Sequence, residues 1–138
     1  MSKASDKFEN DLVEILGRHG FWATIFPKRH DGSQPCDIIA INNKGKHLID
    51  AKLCSNNRFE FRRMEDNQVS SILYFKKRCN GKGWFALKYG DAFDERTDNI
   101  YIVDLWTLQM AEASGMKSIG EPARIYTLER WLDEHRDQ

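Results

Sequence analysis

Asp37, Asp50 and Lys52 are the side chains whose type and spacing could do chemistry. Asp is a poor strand former. Yet Asp50 sits inside the run Leu48-Ile49-Asp50-Ala51-Lys52-Leu53, and Asp37 opens another, Cys36-Asp37-Ile38-Ile39-Ala40-Ile41. Side chains alternate along a strand, so Asp50 and Lys52 project from one face, roughly 6–7 Å apart along the backbone. Between the runs lies Asn42-Asn43-Lys44-Gly45, a cluster that tolerates positive φ and closes hairpins. Pairing Ile41 with Lys46 across that turn puts Asp37 opposite Asp50. Two facing carboxylates repel unless a cation lies between them. Mg²⁺, or Mn²⁺ in its place, suits carboxylate and backbone oxygens, and the Ala51 carbonyl is placed to be a third protein ligand. Lys52 would then orient or activate a water and stabilise charge developing on a phosphate. These are parts for hydrolysing a phosphodiester. An Asp-x-Lys triplet alone also fits the exposed face of an edge strand. The far rarer combination is Pro35-x-Asp37, a hairpin turn and Asp50-x-Lys52.

These groups need a sheet to carry them and helices to cover it. Apolar residues at Phe8, Leu12, Ile15 and Leu16 predict a helix over 5–19, capped by Ser5, with Asp6 and Glu9 in its first turn, and ended by Gly20. A strand over 21–26 stops at Pro27, and a polar, basic loop runs to Pro35. The hairpin strands are 36–41 and 46–53. After the polar, basic stretch 54–62, in which Phe59 and Phe61 alternate, Val69, Ile72, Leu73 and Lys76 predict a helix from 63 or 64 to 78. Residues 80–83 form a turn, 84–89 and 100–103 are strands, 104–113 is a helix, 114–122 is irregular and 126–136 is a closing helix. The order predicts one α/β domain over residues 1–138, with a mixed sheet flanked by helices. Trp84, Phe85, Trp106 and Trp131 are expected in the core, and His47 is expected to pack rather than react.

At 138 residues, 41% hydrophobic and 30% charged, the chain has the composition of one folded domain. Apolar runs such as 38–41 fall well short of the roughly 20 residues that span a bilayer, and residues 1–6 lack the apolar segment of a signal peptide. The expectation is a cytoplasmic protein with no membrane association. Three cysteines without a CxxC pair argue for reduced thiols, and four histidines without HxxxH spacing give no support for zinc. The zero net charge hides an asymmetry: residues 1–90 carry 16 Lys and Arg against 10 Asp and Glu, and residues 91–138 carry 5 against 11. A basic N-terminal part suits an anionic partner, although ordinary solvated charge has the same signature. Lys28, Arg29 and His30 precede the first carboxylate strand, and Arg58, Arg62 and Arg63 follow the second. Lys76, Lys77, Arg78 and Lys82 end the second helix. As phosphate contacts they would give DNA affinity without base specificity.

The pattern resembles the PD-(D/E)xK nucleases, with Pro35-Cys36-Asp37 as the PD and Asp50-Ala51-Lys52 as the acid-x-Lys. More narrowly it is similar to Holliday junction resolvases of the archaeal and RecU-like kinds. Phe8-Glu9 matches their first helix, Gly20-Phe21 the following strand and Asp37-Ile38-Ile39-Ala40 the metal strand. One departure is Asp50, where junction resolvases usually carry Glu. The resemblance implies a restriction-endonuclease-like fold. It makes Glu9 a helix carboxylate joining the metal site, often through water, Gln68 a group that positions water or phosphate, and Ser33 a loop serine near DNA. It further implies a Mg²⁺-dependent endonuclease acting on four-way junctions as a homodimer. Another nuclease of the superfamily, acting on linear, flap or damaged DNA, or a catalytically inactive DNA-binding module are the alternatives.

Overall fold

A computed structural model describes residues 2–137; Met1 and Gln138, included in the expected domain bounds, lie outside the described residues. Helix α1 (Lys3–Arg18) begins earlier than its apolar spacing suggests, because Ser2 is the N-cap: its Oγ accepts the Ser5 N–H at 3.0 Å. Ser5 is therefore inside the helix and Asp6 is its first-turn acid. Gly20, at φ 86°, turns the chain into strand β1 (Trp22–Ile25). Strands β2 (Ile38–Asn42) and β3 (Gly45–Cys54) form the hairpin, with Ile41 facing Lys46 as expected.

The segment after β3 departs from expectation. Phe59 and Phe61 are buried, and they hold a short strand, β4 (Phe59–Glu60), and a 3₁₀ turn over Phe61–Arg63. Helix α2 (Asp66–Cys79) consequently starts later than 63 or 64. Strand β5 (Lys82–Tyr89) follows, then β6 (Ile100–Asp104) and α3 (Leu105–Ala113), capped by Asp104. The stretch expected to be irregular contains β7 (Ser118–Ile119), antiparallel to β4 in a small separate ladder. A 3₁₀ turn precedes α4 (Leu128–His135).

The main sheet has the order β1-β2-β3-β5-β6. Only β3 and β5 run parallel, because a helix, α2, connects them. Alternation along the strands separates two cores. On one face Ile38, Ala40, Ile49, Ala86 and Ile102 pack against Phe8, Leu12 and Leu16 of α1 and Trp131 and Leu132 of α4. On the other, Leu48, Cys54, Phe85, Leu87 and Val103 pack against Ile72 of α2 and Leu105 and Leu108 of α3. Asp50 and Lys52 share the parity of Leu48, so the fold aims them at α2.

Phe85 and Trp131 are buried and Trp84 is partly so, but Trp106 is 67% exposed. One residue of helix is a rotation of about 100°, so burying Leu105 and Leu108 turns Trp106 outward. His47 packs as expected, among Phe21, Trp84, Trp131 and His135, and its Nδ1 accepts the Trp84 indole N–H at 3.0 Å. Burial, with lesser repulsion from His135 and Lys82, pushes its pKa down to about 3. The unfolded chain therefore takes up a proton near pH 6.5 that the folded chain refuses until about pH 3. Stability should fall across that window as pH drops, by up to about 1.4 kcal/mol per pH unit from His47. His135 is shifted in the same direction, while the raised carboxylates Glu9 and Asp50 act in the opposite one. Denaturant titrations from pH 7 to pH 4 should show a shallower decline in His47→Gln than in the parent; equal slopes would remove His47 from the account.

Candidate active site

Strand β2 ends at Ile38, opposite Ile49, while β3 continues to Cys54. The next pair would be Asp37 and Asp50, and Asp37 replaces the ladder with side-chain chemistry. Its Oδ2 accepts the Ala51 N–H at 2.8 Å, and its backbone carbonyl accepts the Phe26 N–H at 2.8 Å. The two polar groups of one strand residue point to the same side, so the Ala51 carbonyl also faces the gap beyond the end of β2.

Asp50 is fully buried. Its Oδ1 accepts from Gln68 Nε2 at 2.8 Å, and the Gln68 Oε1 accepts the Glu65 N–H at 3.3 Å, which sets the direction of the amide. Asp50 Oδ2 lies 3.1 Å from Lys52 Nζ but has no aligned hydrogen-bond donor among the described residues. Glu9 is buried as well, brought there by the α1 face that buries Phe8 and Leu12. Lys28, expected on the DNA-contacting loop, instead joins the carboxylates: its Nζ is 3.0 Å from Glu9 Oε1 and 2.6 Å from Asp37 Oδ1.

Three carboxylates thus share two ammonium groups. Burial, then the Asp37 charge, raises the Glu9 pKa despite Lys28. The same two causes, in the same order, hold Asp50 well above the usual carboxylate range, with Lys52 only partly offsetting them. Excess negative charge, hard oxygen donors and a buried oxygen without a donor fit a divalent cation such as Mg²⁺. The donors do not form a closed cage: among the described residues no three His, Cys, Asp or Glu side chains gather as a metal site.

The remaining expected residues lie on the rim. Arg29 and Ser33 are exposed in the loop before β2, where Arg29 Nη1 donates to Ser33 Oγ at 3.4 Å and Asn67 of α2 donates to the Gly32 carbonyl at 2.9 Å. Arg58, Arg62 and Arg63 line one open groove of about 410 Å³ with Leu53. Two of these arginines already have work within the chain. Arg63 donates to the Leu53 carbonyl at 2.6 Å, and Arg58 donates to Ser118 Oγ at 2.7 Å and to its carbonyl at 3.1 Å. Arg62 pairs with Glu60 in solvent. A cavity of about 790 Å³ between α1, β6 and α4 is lined by none of the carboxylate cluster.

Sequence reasoning missed the place of Lys28 in the cluster. Its place follows from the β1–β2 register, which the structure supplies: Ile25 faces Ile38, so Phe26 meets Asp37 and Lys28 is within side-chain reach.

A mixed sheet with a carboxylate at the end of one hairpin strand and an acid-x-Lys on the next is the arrangement of a PD-(D/E)xK nuclease. Residues 1–135 match the model of the archaeal Holliday junction resolvase family, Hjc. The chain belongs to that family, whose members are metal-dependent nucleases. Its fold is similar to a solved structure of Hjc from Archaeoglobus fulgidus, described as a Holliday junction resolvase from an archaeal hyperthermophile. The two agree with a TM-score of 0.65 at 20% identity, over 93% of this chain and 97% of that one. No curated protein matches the sequence. Among the described residues no helix is long and apolar enough to cross a membrane.

Proposed function

We propose that this chain is a Mg²⁺-dependent endodeoxyribonuclease that cuts four-way DNA junctions as a homodimer, with Mn²⁺ able to substitute. The observation that carries the reading is the convergence of Glu9, Asp37, Asp50 and Lys52, from α1, the start of the hairpin and β3, where β2 stops and leaves the sheet open. Asp37, Asp50 and the Ala51 carbonyl would hold the ion directly, and Glu9 would hold it through water. Bound there, the ion would polarise the scissile phosphate and acidify a water.

The chain's own groups do the rest. Lys52, anchored beside Asp50, aims an ammonium at the attacking water and at charge developing on the phosphoryl oxygens. Gln68 is a positioning residue: its amide holds Asp50 Oδ1 and leaves Oδ2 beside Lys52 Nζ. Arg29 and Ser33 on one rim and Arg58, Arg62 and Arg63 on the other supply phosphate contacts, which fix the register of DNA without reading bases. Resolving a four-way junction takes two symmetric cuts, and a homodimer supplies two such sites. A nuclease of branched DNA works inside the cell.

The test is cleavage of labelled four-way junction, flap and linear duplex with Mg²⁺, Mn²⁺ or a chelator. Paired nicks in the junction, lost on chelation, are expected. Cutting of linear or flap DNA instead would keep the site and overturn the substrate. No metal-dependent cutting of any of them would leave a DNA-binding module.

A further inference from the structure

Lys28 occupies the place between Glu9 and Asp37 where a cation is most needed. Its ammonium touches both carboxylates, at 3.0 Å and 2.6 Å, from a loop with no regular secondary structure. The side chain is 25% exposed, so part of it remains in contact with solvent. A lysine is a point charge on a flexible four-carbon stem, able to swing outward while the backbone stays anchored through Arg29, Gly32 and Asn67. Its neighbour Arg29 makes no ion pair with either carboxylate among the described residues; it bonds to Ser33.

We propose that Lys28 is the built-in counter-ion of the metal-free site, that a divalent cation must displace it from Asp37, and that the freed ammonium then contacts a DNA phosphate. The proposal rests on the metal-site reading above. It makes metal and DNA binding mutually reinforcing through one side chain. DNA that draws Lys28 outward uncovers the carboxylates, and a metal that expels Lys28 supplies a phosphate contact. Such coupling is reciprocal, so each ligand must strengthen the other by the same factor.

Mn²⁺ binding to the full chain without DNA, measured by calorimetry, separates the possibilities. Lys28→Met should bind Mn²⁺ about tenfold more tightly than the parent, a typical size for coupling between sites. Lys28→Arg, which keeps a cation, should stay near the parent, and so should Arg29→Met. Unchanged or weaker binding by Lys28→Met would overturn the proposal. An equal gain in Arg29→Met would overturn it too, by reducing the effect to general field. In the wild-type chain the ¹⁵N resonance of the Lys28 ammonium should lose its carboxylate hydrogen bonds as Ca²⁺ is added; a resonance unmoved at saturation refutes displacement without any variant. A parent chain that binds no Mn²⁺ would instead sink the metal-site reading itself.

Discussion

Lys52→Ala is expected to lower junction cutting by about 10³-fold while junction affinity changes less than about threefold. Removing a single donor aimed at developing charge typically costs about 10²–10³ in rate, and in the proposed mechanism the same ammonium also faces the attacking water. Binding should be spared because the arginines proposed to contact phosphate are side chains other than Lys52, lining the rim groove. The variant carries a second consequence. Lys52 is the ion-pair partner of a fully buried Asp50 whose Oδ2 has no aligned hydrogen-bond donor among the described residues. Deleting one member of a buried pair leaves an uncompensated charge and costs about 3–5 kcal/mol. The already raised pKa of Asp50 limits that loss, since the carboxyl can take a proton instead. A thermal melt therefore belongs beside the cleavage assay. Asp37→Asn should be equally inactive with a smaller stability change, because the amide oxygen can still accept the Ala51 N–H. If both variants, folded, cut junctions at the parent's rate, the site has been assigned wrongly.

Gly83→Val should lower the melting temperature by about 10 °C and cut activity with it. The α2 helix lies directly on the backbone at the start of β5. A Cβ at Gly83 would fall inside the contact distance of the Ile72 branch atoms, and one at Gly81 would fall inside that of the Phe75 ring. Overpacking of this kind costs about 1–3 kcal/mol and occasionally more. For a chain of this length each kcal/mol moves the melting temperature by several degrees. Val also forces α2 away from the sheet, and α2 carries Gln68 to Asp50. Activity should therefore fall even at temperatures where the variant is folded. Gly17 is the control: it lies inside α1, and a Cβ added there would meet nothing within 4 Å. Gly17→Ala should stabilise the chain by about 0.5–1 kcal/mol with no effect on cutting. A Gly83→Val chain as stable as the parent would mean that α2 is free to shift.

Much of the site was legible because its spacing is local. The Asn42–Gly45 turn leaves only one pairing that keeps Ile38, Ala40 and Ile49 on a common face, and that pairing alone sets Asp37 against the neighbourhood of Asp50. Helix α1 announced itself through its apolar stripe, and the expected bounds of α1 and of the closing helix α4 lie within two residues of the observed ones at each end. Trp106 was misplaced because its apolar character says nothing about which side of α3 meets the sheet; Leu105 and Leu108 took that side. The β4–β7 ladder was invisible for a different reason. Two-residue strands far apart in the chain carry no periodicity, and they pair only because Phe59 and Ile119 meet under a core already built. Arg58 and Arg63 read as free cations until Ser118 and Leu53 were beside them.

The sequence by itself determined the chemistry: two carboxylates and a lysine placed by a hairpin whose register follows from turn residues and alternation. The tertiary structure decided the electrostatics. Only packing α1 onto the sheet brings Glu9 to Asp37, only docking α2 on Gly83 delivers Gln68 to Asp50, and only the β1–β2 pairing seats Lys28 between two acids. Side-chain type and near-neighbour spacing are local properties of the chain. Burial and the pairing of charges depend on elements distant in sequence that meet only when the cores close.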